Sequence, residues 1–179
     1  MQLAQVMRIK TAILLSVFLL FASCGRRGEK PAQVSLPGKN EMADLNRYLI
    51  MKDRERIENY IERKQLVMQE TPTGLWYHIR KEGAGSHLTD NDRVSFSYVC
   101  TLLDGTFCYS SDERGPKEIV LGRSELEPGL NEGLRLLRAG GEGTFILPPY
   151  LAYGVPGDGN KIPPRAVLVY EITVLSAGR

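Results

Sequence analysis

The stretch AYGVPGDGNKIPPRAVLVYEITVL, residues 152–175, decides the fold class of this 179-residue chain. Its first half is rich in glycine and proline, which interrupt helices and strands and favour turns. Its second half has the alternating apolar pattern of a strand with one face in a core. The stretch therefore predicts a presented loop fastened to a half-buried strand.

Upstream of this stretch, the sequence predicts further short strands. Residues 93–103 alternate cleanly, and their predicted core face consists of Val94, Phe96, Tyr98, Cys100 and Leu102. Asp104-Gly105 follows and predicts a hairpin turn. Residues 74–80, 117–122 and 143–148 have the length and composition of strands.

One short helix is predicted among these strands, over residues 124–141. Pro128 suits its first turn, leucines recur at helical spacing, and Gly140 ends it. Strands with a single helix between them predict an α+β domain over residues 71–179, in which an antiparallel sheet wraps on the helix.

The N-terminus has the pattern of an export signal. Arg8 and Lys10 precede an apolar run over residues 11–23, which is too short to span a bilayer. The run stops at Cys24 and resembles the lipobox of bacterial lipoproteins, in which this cysteine is lipidated. We predict a signal peptide over residues 1–23 and a membrane anchor on Cys24. An ordinary signal peptide and an uncleaved anchor are the alternatives.

Between the anchor and the α+β domain, two segments differ in composition. Residues 24–41 are polar and rich in glycine, proline and lysine, which predicts a flexible tether. Residues 42–70 contain neither glycine nor proline and carry an apolar stripe at helical spacing, which predicts an N-terminal amphipathic helix. We expect the stripe to pack on the chain's own domain. Pairing with a second copy is the alternative, and a monomer is favoured.

Charge and cysteine content exclude some functions. The net charge is +2, and without Arg8 and Lys10 the remaining 21 basic residues face 21 acidic ones, which argues against a nucleic-acid partner. Cys100 and Cys108 flank the predicted hairpin turn. A disulfide between them is one interpretation, and two small buried apolar residues is the one we favour.

No pattern in the sequence predicts a nucleophile, a metal site or a cofactor. The two histidines, His78 and His87, pair with no serine or cysteine in a known motif, and metal-binding and phosphate-binding motifs are absent from the sequence. Rotation about an X-Pro peptide bond needs none of these groups. Its barrier of about 20 kcal/mol falls when an apolar pocket holds the proline and donors stabilise a twisted amide.

Three sequence blocks resemble the FKBP-type peptidyl-prolyl isomerases, in the family's order and across roughly residues 72–176. They are SYVCTLLDGTFCYSS, LGRSELEPGLNEGLRLLRAGGEG and the opening stretch. The resemblance implies a twisted antiparallel sheet curled around a short helix, with a proline pocket between them. It also implies that Tyr98 and Tyr153 act on the substrate. The further implied substrate-binding positions are Tyr109, Ile119, Leu126, Glu127, Leu130, Ile162 and Tyr170.

Several of these positions depart from the family pattern. Leu130 replaces a tryptophan, Cys108-Tyr109 replaces a phenylalanine-aspartate pair, Lys117 replaces a phenylalanine, and Glu127 replaces an isoleucine. Each lost aromatic weakens stacking and burial by about 1 kcal/mol or more. The departures predict weak isomerase activity and poor binding of the macrolides that inhibit the family.

The resemblance implies a prolyl isomerase that acts on proline-containing polypeptide clients, and the lipobox predicts that it is lipid-anchored in the bacterial envelope and faces the periplasm. The lipobox and the N-terminal helix, with RYLIMKDRERIENYIERK, also resemble gliding-motility-associated lipoprotein isomerases. Two alternatives stay open: a non-catalytic module that binds proline-containing or unfolded segments, and a structural subunit of an envelope machine.

Overall fold

A computed structural model describes residues 38–178 of the chain. The described residues from Glu41 onward form one compact unit. The predicted signal peptide, Cys24 and most of the predicted tether lie outside the described residues. The elements, in chain order, are α1 Lys39–Lys64, β1 Gln69–Glu70, β2 Trp76–Lys81, β3 Arg93–Leu102, β4 Phe107–Ser110, α2 Ser111–Arg114, β5 Lys117–Val120, α3 Pro128–Arg135, β6 Glu142–Leu147, a 3-10 turn Pro149–Leu151 and β7 Leu168–Gly178.

The strands form one antiparallel sheet of seven strands, in the order β1-β2-β6-β7-β3-β4, and β5 pairs with β3 beside this path. The longest strand pairing joins β3 to β7 and runs from Leu102 opposite Leu168 to Arg93 opposite Gly178. This pairing places the strand of residues 93–102 beside the last strand of the chain. The predicted α+β class is confirmed.

Alternation along the strands divides the core into two layers. On β6, Phe145 packs in the main core with helix α3, whereas its neighbour Ile146 packs in a second cluster with Ile57 of α1. On β7, Tyr170 faces the main core and Val169 the second cluster. Successive strand residues point to opposite faces, so a sheet covered on both sides reads as a nearly continuous apolar run. This explains the apolar density of residues 166–170.

Helix α3 lies so close to the sheet that two of its positions have no room for a side chain. A Cβ on Gly133 would stand 2.8 Å from Phe145 Cδ1, and one on Gly129 would stand 2.6 Å from Leu147 Cγ. Leu130 and Leu134, beside these glycines, are fully buried. The close approach brings the N-terminus of α3 next to the inner face of the sheet.

Helix α3 is shorter than the predicted helix over residues 124–141. It begins at Pro128, because a residue that precedes proline is kept out of the helical region, and Glu127 has ψ 134°. It ends at Arg135, after which the chain turns and Ala139 forms an isolated bridge with Ala84. The leucine pattern of residues 136–137 continues beyond the helix because the turn also faces the core.

Helix α1 differs from the predicted helical segment 42–70 at both ends. It ends at Lys64, since Gln65 has φ 53°, and residues 69–70 form the short strand β1 instead. The apolar stripe is buried only in its second half. Ile57 is 1% exposed, whereas Leu45 and Tyr48 are about half exposed. The expectation that the whole stripe is buried was therefore wrong for the first half of α1.

An ion pair joins α1 to the loop that precedes β7. Asp53 is 4% exposed and accepts a hydrogen bond from the guanidinium of Arg165. Arg56 lies 3.5 Å from the other carboxylate oxygen. The backbone N–H of Arg165 in turn donates to the carbonyl of Gly154. The pair thus ties α1 to both ends of the segment 154–165.

Replacing Asp53 with alanine is expected to lower the free energy of unfolding by about 1–3 kcal/mol. Breaking a buried ion pair leaves the partner charge without a counterion. Arg165 is partly exposed, so it recovers some hydration. Urea unfolding followed by the fluorescence of Trp76, the chain's one tryptophan, measures the change. Asp44→Ala is the matched control, because its pair with Arg47 is exposed and should contribute little. Equal losses in both variants would contradict the prediction.

Candidate functional site

A pocket of about 180 Å³ opens on the inner face of the sheet at the N-terminus of α3. It is smaller than the open cleft of about 580 Å³ beside α1, but it gathers several tyrosines around a buried carboxylate. The lining residues are Tyr98, Tyr109, Arg114, Gly115, Pro116, Lys117, Glu127, Tyr153 and Tyr170.

Three of the tyrosines come from adjacent strands. Tyr98 on β3 and Tyr170 on β7 are diagonal neighbours on one sheet face, with ring centroids 6.1 Å apart. Tyr109 on β4 lies opposite Cys100 of β3. The strand period of two places these rings on the same face, and the pairing of β7, β3 and β4 brings them side by side.

The fourth tyrosine, Tyr153, belongs to the pocket loop, residues 153–165. Asp158 organises this loop by accepting hydrogen bonds from the backbone N–H of Asn160 at 2.9 Å and of Ile162 at 2.8 Å. The Tyr109 hydroxyl donates to the same carboxylate. Partial burial works in the opposite direction, but these hydrogen bonds lower the pKa of Asp158 below its ordinary value. The carboxylate therefore joins the pocket loop to β4.

Glu127 places a carboxylate inside the pocket rather than at its rim. Its side chain is 7% exposed, and Oε1 accepts hydrogen bonds from the Tyr153 hydroxyl at 2.5 Å and the Tyr170 hydroxyl at 3.1 Å. The extended backbone imposed by Pro128 aims this side chain into the pocket. The sequence indicated only that an acid replaces an apolar residue, and the structure shows where the acid goes.

The hydroxyls of Tyr98, Tyr153 and Tyr170 stay protonated and are available as hydrogen-bond donors. Burial, followed by the hydrogen bond to Glu127, raises the pKa of Tyr153, and burial raises the pKa of Tyr170 and Tyr98. Tyr98 differs from the other two, because within residues 38–178 no hydrogen bond engages its hydroxyl. The arrangement can hold an apolar ring among aromatic walls and donate to a carbonyl oxygen.

Cationic side chains surround the pocket mouth. The Arg114 guanidinium stacks 3.8 Å from the centre of the Tyr109 ring. Lys117 Nζ lies 3.7 Å from Glu127 Oε2, and Lys161 Nζ lies 3.4 Å from a carboxylate oxygen of Glu113. No sequence motif pointed to Arg114 as a site residue. Its only signal was its place just after the Ser-Ser segment, and nothing local shows that this turn faces the pocket.

The remaining predicted site residues are not among those that line the pocket. Leu130 and Ile162 are buried in the main core, and Leu126 packs against it. Ile119, on β5, pairs with Val94 of β3 and borders a different cleft. Their contact with a substrate stays a prediction, as does lipidation of Cys24, which lies outside the described residues.

The two core cysteines lie on the neighbouring strands β3 and β4, and both are free and fully buried. Burial raises the pKa of the Cys100 thiol to about 12 and also raises the pKa of Cys108. Neither thiol is a ready nucleophile at neutral pH. Within residues 38–178, no group of acidic, histidine or cysteine side chains could hold a metal ion, and no helix combines the length and apolar character needed to cross a bilayer.

Comparison with known proteins gives consistent matches. A family model for FKBP-type peptidyl-prolyl cis-trans isomerases matches residues 85–175. The chain is 40% identical over 111 residues to the probable FKBP-type peptidyl-prolyl cis-trans isomerase FkpA of Neisseria meningitidis, covering 62% of this chain and 40% of that protein. It is 35% identical over 105 residues to the outer membrane protein MIP of Legionella longbeachae, covering 59% of this chain and 45% of that protein.

A solved structure shows the same fold. The crystal structure of FkpA from Escherichia coli superposes with a TM-score of 0.60 at 25% identity, covering 94% of this chain and 81% of that chain. The chain spans less than half the length of the two curated relatives. The family model matches about half of the chain, and the sheet and helix form the fold that the resemblance implies. The chain belongs to the FKBP-type peptidyl-prolyl cis-trans isomerase family.

Proposed function

We propose that this protein is a peptidyl-prolyl cis-trans isomerase that assists the folding of exported proteins in the bacterial cell envelope. The observation that carries the proposal is the tyrosine-lined pocket, in which protonated hydroxyls converge and no nucleophile is present. Rotation about an X-Pro bond needs such a site, because the reaction breaks amide resonance and transfers no group.

Catalysis follows from what the pocket does to the amide. Aromatic walls exclude water around the proline ring, and a donor to the carbonyl oxygen stabilises the twisted amide more than the planar one. Tyr98 is the donor best placed for this, since its hydroxyl is unengaged. Tyr153 contributes its ring, and its hydroxyl proton is held by Glu127.

Replacing Tyr98 with phenylalanine is expected to lower kcat/KM for a Leu-Pro tetrapeptide by about tenfold, equivalent to about 1.4 kcal/mol of transition-state stabilisation. Tyr153→Phe is expected to lower it by less than threefold, because that hydroxyl already donates to Glu127. The measurement is a prolyl isomerisation assay on the full-length chain in mild detergent. Tyr48→Phe, on the exposed half of α1, is the control. A larger loss in Tyr153→Phe than in Tyr98→Phe would reverse the assigned roles.

We expect low activity, because few large apolar side chains line the pocket. Lys117 and Glu127 are lining residues at positions where the family carries apolar ones, and Leu130 stands in place of a tryptophan. These departures also support a second candidate function, a module that binds proline-containing or unfolded segments without useful turnover. Tight binding of a proline peptide without acceleration by a folded chain would favour that second function.

The envelope location rests on the N-terminal pattern and on the relatives. The predicted lipidation of Cys24 gives a membrane anchor facing the periplasm, and one relative is named as an outer membrane protein. The clients are proline-containing polypeptides, a monomer is favoured, and no nucleic-acid partner or cofactor is implied. A role as a subunit of a gliding-type envelope machine is the narrower alternative. It is supported by the resemblance of the N-terminal helix to gliding-motility-associated lipoprotein isomerases.

A further inference from the structure

Glu127 carries one carboxylate oxygen with no hydrogen-bond partner. Its Oε1 accepts from Tyr153 and Tyr170, whereas Oε2 is buried and accepts no hydrogen bond. It forms an ion pair with Lys117, whose Nζ at 3.7 Å is beyond hydrogen-bonding distance. Buried polar atoms are almost always hydrogen-bonded, so a buried carboxylate oxygen without a hydrogen bond in a pocket wall points to a ligand that supplies the donor.

The position of this carboxylate is set by the fold. Glu127 precedes Pro128, its carbonyl accepts the first hydrogen bond of α3 from Asn131, and its backbone is extended. Two tyrosine hydroxyls hold the side chain in place. Turning it out to solvent would break both hydrogen bonds. The acceptor is therefore part of the pocket when a client arrives.

An apolar client leaves this acceptor unsatisfied. A proline ring has no donor, and a neighbouring leucine would press apolar atoms against Oε2 while it expels water. A buried acceptor that loses access to water without gaining a donor disfavours the complex. A site built around a polar group discriminates strongly against ligands that cannot pair with it.

Lys117 marks the kind of group that fits. Its ammonium approaches Oε2 from the first residue of β5, and its side chain is 38% exposed. A client ammonium or guanidinium that reached hydrogen-bonding distance would displace Lys117 into water at little cost. The Tyr98 ring in the pocket wall can make a cation–π contact with such a group, of the kind that Arg114 and Lys161 already make with Tyr109.

The cations at the mouth oppose this preference but do not outweigh it. Lys161 is paired with Glu113, and both side chains are largely in solvent, where salt screens them. Arg114 is engaged by the Tyr109 ring. A charge-assisted hydrogen bond to a buried carboxylate acts at shorter range and in a lower dielectric. The mouth would favour acidic clients only if Glu127 did not pair with the client.

We propose that Glu127 makes this pocket selective for proline bonds flanked by a lysine or arginine side chain, with the client cation taking the Oε2 position that Lys117 now approaches. The proposal rests on the isomerase function proposed above and names its substrate class. Glu127 is then the specificity-determining residue, and Lys117 is an internal competitor for the same oxygen.

The test compares tetrapeptides that carry lysine, norleucine or glutamate beside the proline, in separate series before and after it. Norleucine matches the length of lysine without its charge. The full-length chain in mild detergent is assayed at low salt, and the same peptides are titrated by calorimetry. We expect kcat/KM for lysine to exceed that for norleucine about tenfold in at least one series. The ratio of kcat/KM for lysine to kcat/KM for norleucine should fall to within twofold of one in Glu127→Gln and rise in Lys117→Met.

Glu125→Gln is the matched control, because Glu125 is exposed two residues away and loses the same charge. It should keep the lysine preference. A norleucine or glutamate preference in the wild-type chain, or a lysine preference that survives Glu127→Gln, would overturn the proposal. If no peptide is accelerated, the isomerase function fails, and the calorimetric affinities still decide the inference: lysine must bind more tightly than norleucine, and only while Glu127 is present.

Discussion

Replacing Gly157 with alanine is expected to lower the free energy of unfolding by about 2–4 kcal/mol and to remove most of the proposed isomerase activity. Gly157 has φ +71°, a conformation that an alanine adopts only with strain. An added Cβ would also stand 2.7 Å from the carbonyl carbon of Pro163 and closer still to the carbonyl oxygen of Ile162. These are backbone atoms, so the pocket loop itself must move.

That movement reaches the site through Asp158, the next residue. Asp158 bonds the Tyr109 hydroxyl and the N–H of Ile162, and Tyr153 lies at the start of the same loop. Urea unfolding followed by Trp76 fluorescence gives the stability change, and the proline peptide assay gives the activity.

Gly159 provides the matched control for Gly157→Ala. It also has a positive φ, +72°, but a Cβ there meets nothing within 4 Å. Gly159→Ala should show only the conformational strain, about 1 kcal/mol, and keep its activity. If both variants lose equally, the backbone contact at Gly157 is not what holds the pocket loop. If neither loses activity, the pocket loop does not shape the site.

Replacing Phe145 with alanine is expected to lower the free energy of unfolding by about 3–5 kcal/mol. Its ring is fully buried between Tyr77 of β2 and Tyr170 of β7, beneath Gly133 of α3. Because Gly133 has no side chain, the helix residue directly over the ring has no atoms that could move into the cavity left by the ring. Neighbouring side chains often relax into such a cavity and so reduce the loss of stability. That relaxation is restricted at this position. Denaturant unfolding at equilibrium measures the loss.

Phe107→Ala is the control for Phe145→Ala. Phe107 is 44% exposed on β4, where its ring faces Lys161. Its replacement should lower the free energy of unfolding by about 1 kcal/mol or less. A loss below about 1.5 kcal/mol in Phe145→Ala would mean that α3 does close onto the sheet. The contact between Gly133 and Phe145 would then not be the one that fixes the height of the helix above the sheet.

The unusual chemistry of this pocket lies in where its carboxylates are held. Tyr109 occupies a position where the family carries an aspartate, and the structure shows carboxylates supplied from other elements. Asp158 of the pocket loop accepts the Tyr109 hydroxyl, and Glu127 at the start of α3 accepts those of Tyr153 and Tyr170. The loss of charge inferred at position 109 is thus accompanied by a buried charge 18 positions further along the chain. A selective pocket fits this pattern better than one that is merely weakened.

Local features of the sequence determined much of the fold. The alternation of residues 93–102 sets which side chains of β3 face the core, because the strand period depends only on neighbouring residues. Pro128 sets the start of α3 for an equally local reason. The end of α3 and the end of α1 were predicted too far along the chain, since leucines and charged residues favour helix in places where the tertiary fold requires a turn or a strand.

What the sequence could not reveal is the set of partners that Glu127 and Asp53 find across the fold. Glu127 meets hydroxyls 26 and 43 residues away, and Asp53 meets a guanidinium 112 residues away. Such contacts depend on the stacking of α3 and α1 on opposite faces of one sheet, which no local pattern encodes. The sequence by itself determined the fold class, the family and most of the strands. Only the tertiary structure decided that an acid lies inside the aromatic wall of the pocket, because a buried charge is placed by the groups that solvate it, and these come from distant parts of the chain.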